Sequence, residues 1–262
     1  MSLIYVYDGS FEGLLCAVHR AYYKREQPDE IACYKNLQKD MFSDYKQIET
    51  DNKKAKDVYN SISKKISKKA ERMVYNIYLS DEKDKEEIIY NYLKIGYKTG
   101  AAIENYFANS YVMRAVKINQ SVVREVNHMC GFVRFSSAKN GILFSKINPT
   151  HNILELLCRY FADRLKNFSW IIYDENRKLA AIYDTKRWEI FEADFKDEAG
   201  VVKKDVYSDL WIKFYDTVAI KERRNEKLRT HNMAKKYHKN ILEMSGEAQR
   251  RKSYEQKNIH PL

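Results

Sequence analysis

Three prolines, eight glycines and four cysteines are all that 262 residues supply of the types that break, bend or staple a chain. With so few, no Pro-rich or Gly/Ser-rich linker can be marked out, and no internal repeat stands out. A chain of this length folds as one large domain or two smaller ones, and either can bury a sizeable core. Cys16, Cys33, Cys130 and Cys158 lie far apart, without the close pairs that zinc or iron–sulfur sites show, so reduced and mostly buried thiols are expected and no metal is implied. No window approaches the about 20 apolar residues that cross a bilayer, and no basic segment followed by an apolar stretch opens the chain, so a cytosolic protein is expected. G-x-G-x-x-G and the P-loop lysine are absent as well, and no cofactor is implied.

What is abundant is positive charge. The formal net charge is +11 and the pI near 9.2, which favours a polyanionic partner, because clustered Lys and Arg release counterions when they neutralise phosphates. A biased genome fits the same figures, since lysine greatly outnumbers arginine and 21 residues are tyrosine. The cations gather in two places. Lys53, Lys54, Lys56, Lys64, Lys65, Lys68 and Lys69 form one group; Lys221, Arg223, Arg224, Lys227, Arg229, Lys235, Lys236 and Lys239 form the other, near the C-terminus. Arg223, Arg224, Lys227, Arg229, Lys235 and Lys236 read as contacts to nucleic-acid phosphate, and a plain solvated helix face fits both groups nearly as well.

Patterning places the elements. The run Leu3-Ile4-Tyr5-Val6-Tyr7 predicts a buried strand, and Ser10 an N-cap for a helix reaching Lys24, with Phe11, Leu14, Leu15, Val18, Ala21 and Tyr22 on one apolar face. Short strands fit 31–34 and 45–48. Residues 51–97 read as helical, with a break at Ser80-Asp81-Glu82 and Ser80 capping the next helix. A helix over 110–129 gives way to a period of two, so 132–136 and 142–147 predict a hairpin across Asn140-Gly141. Pro149-Thr150-His151-Asn152 opens a helix to about residue 165, strands follow at 170–173, 179–183 and 188–191, and helix resumes from 206, with Trp211, Phe214 and Tyr215 turned to the core. The grouping predicts an α+β fold, mainly helical with a small, mostly antiparallel sheet. A boundary near residue 100 would separate a strand–helix region (1–100) from a helix and antiparallel-sheet region (101–262); a single domain is the alternative.

Two stretches could carry chemistry. Tyr7-Asp8-Gly9-Ser10-Phe11-Glu12-Gly13 joins strand to helix through a turn with two acids. Asp8 and Glu12 oppose phosphate at that helix start and suit a cation, an amine or a proton relay, while the structural alternative has Asp8 fixing the turn and Glu12 complementing the helix dipole. The second stretch is His128-Met129-Cys130-Gly131-Phe132-Val133-Arg134-Phe135, whose last five residues match the end of an RNA-recognition octamer. On a strand Phe132 and Arg134 would share a face, an aromatic beside a guanidinium, able to stack a base and hold a phosphate. His128 and His151 are acid–base candidates by residue type. An enzyme acting on a nucleobase or phosphodiester would need Asp8, Glu12 and His128 to converge.

Taken in order, the Tyr7-to-Gly13 opening, the 128–135 block, Pro149-Thr150-His151 and the close from Met233 to Glu243 resemble a family ascribed to DNA metabolism, the domain of unknown function 4130. The close departs from the family's Met-Pro and Tyr-Trp pairs, having Met233-Ala234 and Tyr237-His238. The resemblance implies a DNA context, with a radical S-adenosylmethionine repair protein as partner or a uracil-DNA glycosylase-like domain as fusion, and it carries no catalytic residue across. The expectation is a nucleic-acid-associated accessory protein in DNA repair or modification. The alternatives are the enzyme above and a scaffold binding only a repair enzyme.

Overall fold

The first apolar run forms strand β1 (Ser2–Tyr7), with Ile4 to Tyr7 buried. The computed structural model describes residues 2–37, 41–138, 141–194, 225–241 and 244. The chain divides into two compact units, 1–123 and 124–262.

In the first unit β1 is the middle of a three-stranded parallel sheet, flanked by β2 (Glu30–Cys33) and β3 (Ser43–Gln47). Between β1 and β2 runs helix α1 (Phe11–Lys24), the crossover that parallel neighbours require. Its N-cap is Ser10, whose hydroxyl accepts from the Gly13 amide at 2.9 Å. Because β3 pairs on the other edge of β1, the carboxyl ends of β1 and β3 make a topological switch point, where parallel sheets leave a crevice.

The stretch read as helical from 51 breaks twice, into α2 (Asn52–Lys65), α3 (Lys68–Tyr78) and α4 (Lys85–Thr99). At the first break Ile66 leaves helical geometry and stays buried, and Ser67 restarts the helix by accepting from the Ala70 amide at 3.0 Å. Ser80 does not cap α4, contrary to expectation. Its hydroxyl donates to the Ile77 carbonyl at 2.6 Å and closes α3, where Lys85 Nζ also donates to the Tyr78 and Ser80 carbonyls. Helix α4 follows Asp84 without a side-chain cap. Tyr5, Leu14, Leu15, Ile62, Ile77, Ile89 and Leu93 fill the core, at about 1.5–3 kcal/mol for each large aliphatic side chain buried.

Helix α5 (Ser110–Phe132) begins in the first unit, where Asn109 caps it, and the boundary between the units falls within it. It runs past 129, so the strand expected at 132–136 is the last helical turn and a connection to a two-residue strand, β4 (Ser136–Ser137). Helix continuation puts Phe132 one turn beyond His128, with ring centroids 5.6 Å apart. Arg134 folds back, its Nη1 donating to the Gly131 carbonyl at 2.7 Å, which satisfies a helix-end acceptor. The shared strand face of Phe132 and Arg134 therefore does not form.

The second unit's sheet has the order β4-β5-β6-β7-β8, with β5 (Leu143–Ile147), β6 (Trp170–Asp174), β7 (Leu179–Tyr183) and β8 (Trp188–Glu192). All its pairs are antiparallel except β5 with β6, which are joined through helix α6 (Leu154–Arg164). The α+β class holds, with one parallel and one mixed sheet. Trp170 is fully buried and stacks on Tyr183 at 5.1 Å. Helix α7 (Glu226–Asn232) and a 3₁₀ turn over Lys235–Asn240 follow. Arg223, Arg224 and the aromatics from Trp211 to Tyr215 lie outside the described residues. All four cysteines are free thiols, and burial pushes Cys158 up to about 12. Among the described residues no helix is long and apolar enough to cross a membrane.

Candidate functional site

The apolar stripe of α5 is interrupted by one acid. Glu125 is 5% exposed, one turn from buried Val122 on one side and Met129 on the other. A buried carboxylate must be hydrogen-bonded or neutralised. Here Oε1 accepts from the Thr150 amide at 2.8 Å, from Lys236 Nζ at 3.1 Å and from the Tyr237 hydroxyl, and Oε2 accepts from the His151 amide at 2.7 Å. Burial pushes the Glu125 carboxyl upward, but the Tyr237 hydroxyl, the two amides and Lys236 outweigh it and hold the group down at about 2. Tyr237 is raised in turn, by burial and by the carboxylate it donates to.

The loop that receives this carboxylate is gripped from its other side. Arg177 donates to the Pro149 carbonyl at 3.2 Å and to the Thr150 carbonyl, Asn176 Nδ2 to the Pro149 carbonyl at 2.9 Å, and fully buried Asp174 accepts from Arg177 at 3.1 Å. Residues 236–240 are fastened similarly. Asn148 Nδ2 donates to the Lys236 carbonyl, Asn240 Nδ2 to Asn148, and Lys239 to Glu175, which also holds Lys146 at 2.8 Å. Three blocks distant in sequence, 128–132, 148–151 and 236–240, thus meet around one acid that sequence reading passed over. The signal that could have found it is a lone glutamate at core spacing in α5.

A carboxylate with so low a pKa and donors on both oxygens is no general base near neutral pH. A cavity on Tyr237, lined also by Met129, Phe132, Ile147, Asn148 and Ile241, has room for about one water and is too small for a nucleobase. The cluster is therefore architectural: it ties loop 148–151 and turn 235–240 to α5. Tyr237→Phe removes one donor to a charged acceptor and is expected to cost about 1.5–3 kcal/mol, read as a lower urea midpoint at unchanged slope.

The other residues singled out in the sequence are placed as follows. Phe132 packs between His128 and Tyr237, whose ring lies 5.8 Å away. Arg134 is occupied at the end of α5, and Lys236 with Glu125. Lys227 and Lys235 are exposed, and Arg229 is half-buried. Asp8 and Glu12 are exposed in the first unit, and His128 is half-buried in the second. Asp8 sits at the switch point, where Oδ1 accepts from the Ser10 amide at 2.9 Å and hydroxyl at 2.6 Å, and Oδ2 from the Thr50 hydroxyl at 2.8 Å. Slight burial raises the Asp8 carboxyl, yet those hydrogen bonds hold it below its usual range. Gly9 in the same turn has φ +89°, and a Cβ there would lie 2.7 Å from Cys33 Sγ. This geometry fits a turn-fixing role for Asp8. Among the described residues no group of three or more His, Cys, Asp and Glu side chains could hold a metal ion.

The first basic group does lie in the open. Helices α2 and α3 carry eight cations, Lys53, Lys54, Lys56, Lys64, Lys65, Lys68, Lys69 and Arg72, all exposed, against two acids, Asp57 and Glu71. Lys54 pairs with Asp51 at 2.9 Å and Lys69 with Glu104 at 3.2 Å. The other six have no ion pair among the described residues. Spacing puts Lys53, Lys56 and Lys64 on one strip of α2.

A family model described as a domain of unknown function, DUF4130, matches residues 83–243. No curated protein and no solved structure matches the chain.

Proposed function

The chain belongs to the DUF4130 family, and from that premise we propose that it is a cytoplasmic nucleic-acid-binding accessory protein that neutralises phosphates with its basic helices. The carrying observation is the imbalance on α2 and α3, where eight exposed cations face two acids and six of the cations have no ion pair among the described residues. Uncompensated lysines spaced along a helix are the footprint of a phosphate backbone, since each contact releases condensed counterions. Lys227 and Lys235 add exposed charge on the second unit, whereas Lys236, Phe132 and Arg134 are spent on internal contacts and leave the proposed surface. The enzyme it assists belongs to DNA repair or modification, of the radical S-adenosylmethionine kind that the sequence resemblance implies.

Salt titration of binding to single- and double-stranded DNA tests the proposal. Affinity should fall steeply with salt, and the triple variant Lys64→Ala/Lys65→Ala/Lys68→Ala should reduce the log–log slope by about 2–3 while the fold is unchanged, because each phosphate contact contributes about 0.7–0.9. An affinity indifferent to salt, or retention of a repair enzyme with no DNA, refutes it.

A further inference from the structure

The solvent side of α1 carries an aromatic group that the core does not use. His19 and Tyr23 stack with centroids 4.2 Å apart and planes 24° from parallel. Tyr22 stands nearly edge-on to Tyr23 at 5.9 Å and reaches Tyr97 of α4 at 6.2 Å. Tyr97 in turn shares a 2.5 Å hydrogen bond with Ser61 of α2. Tyr22, whose spacing placed it on the apolar face, is instead 68% exposed and Tyr23 71%, while the buried face of α1 is formed by Leu14, Leu15, Val18 and Ala21. Two adjacent, largely exposed tyrosines held by neighbouring rings are a surface without an internal reason.

Exposed cations flank the members of this group along the chain. Lys24 and Arg25 follow Tyr23 directly, Lys98 follows Tyr97, and Lys64 and Lys65 lie one helical turn beyond Ser61; all are exposed. Burial and then the Lys54 charge lower the His19 imidazole below its usual range, against the Asp51 and Asp57 charges, which raise it. An open π-face beside phosphate-neutralising lysines is the combination that takes up unpaired bases, whereas in a duplex the bases already cover one another's faces.

We propose that His19, Tyr22 and Tyr23 form a base-stacking platform that makes the α2–α3 surface selective for single-stranded nucleic acid. A base continues the His19–Tyr23 stack on the outer face of Tyr23, with the flanking phosphates on the α2 lysines. The inference rests on the nucleic-acid reading above and adds the class of strand.

Binding of a thymine homopolymer and of a duplex, compared between the full chain and its Tyr22→Ala/Tyr23→Ala variant, decides it. Single-strand affinity should fall about 5- to 100-fold and duplex affinity by less than about twofold, as expected for stacking of one base. Tyr23→Trp should restore single-strand binding, with its fluorescence quenched by the homopolymer. Unchanged single-strand affinity in the tyrosine variant, alongside a loss in the lysine triple variant, overturns the platform and leaves the nucleic-acid reading standing. An equal fall for both ligands also overturns it. Absence of binding by the unaltered chain to either ligand overturns the nucleic-acid reading itself.

Discussion

Glu125→Ala is expected to destabilise the protein by about 3–5 kcal/mol, the range seen when one partner of a buried charged network is removed. The deletion removes the counter-charge of the exposed Lys236 and strands the Thr150 and His151 amides and the Tyr237 hydroxyl at once. Each of those donors then bears its own desolvation penalty. Amide hydrogen exchange should localise the damage, with fast exchange at Thr150, His151 and residues 236–241, and β1 protected as before. Glu125→Gln keeps the shape but turns an NH₂ group toward donors, so an intermediate loss is expected. A loss below about 1 kcal/mol for Glu125→Ala would show that the carboxylate is dispensable.

The same group sets an acid limb. The folded pKa of Glu125 is depressed from 4.5 to about 2, so its contribution is fully present above the unfolded value and is lost as pH falls from about 4.5 toward 2. The shift corresponds to on the order of 3 kcal/mol. Asp174 acts in the opposite sense. Burial raises its pKa above the unfolded value despite Arg177, so its protonation on acidification favours the fold and offsets part of that loss. The Glu125→Gln protein should therefore show a flatter stability profile between pH 4.5 and 2 than the unaltered chain.

How much of this was legible in the sequence depended on how local the determining interactions are. β1, the Ser10 cap and α1 were readable because a strand run, a capping hydroxyl and a helical stripe lie within a few residues. Strands β6 to β8 were readable because polar turns bound short apolar runs. Local pattern did not specify partners, so the parallel pairings of β1 and of β5 with β6 stayed hidden. At 132–136, aromatic and branched residues favoured strand, and the outcome was decided by packing of Phe132 on His128 and Tyr237 and by Arg134 turning back on the helix end. Ser67 and Ser80 are both serines at helix breaks, and only their neighbours in space made the first a cap and the second a terminator. Glu125 was illegible for the same reason at longer range, since its donors come from positions 25 and 112 residues away.

Gly13→Ala should destabilise the protein by about 2–4 kcal/mol, the reverse of what helix propensity alone dictates. In an unconstrained helix the change gains up to about 1 kcal/mol. At Gly13 an added Cβ would lie 2.3 Å from Asp8 Oδ1, 2.9 Å from Thr50 Oγ1 and 3.0 Å from Ser10 Oγ. Those are the three groups that close the β1–α1 turn, and the Cβ displaces the carboxylate from the Ser10 amide, Ser10 hydroxyl and Thr50 hydroxyl together. Overpacking and loss of a cap combine to the stated range. Gly96→Ala is the apolar comparison: its Cβ meets buried Ile66 at 2.6 Å and buried Ile103 at 3.3 Å, so a loss of about 1–3 kcal/mol from overpacking alone is expected, with no dependence on Asp8. If Asp8 is the obstacle, Asp8→Ala should be costly alone but far less so beside Gly13→Ala, a non-additivity that thermal unfolding of the four proteins measures directly. Additive losses would mean that Gly13 is required for something other than Asp8, and would reopen the acidic turn to a role beyond fixing the chain.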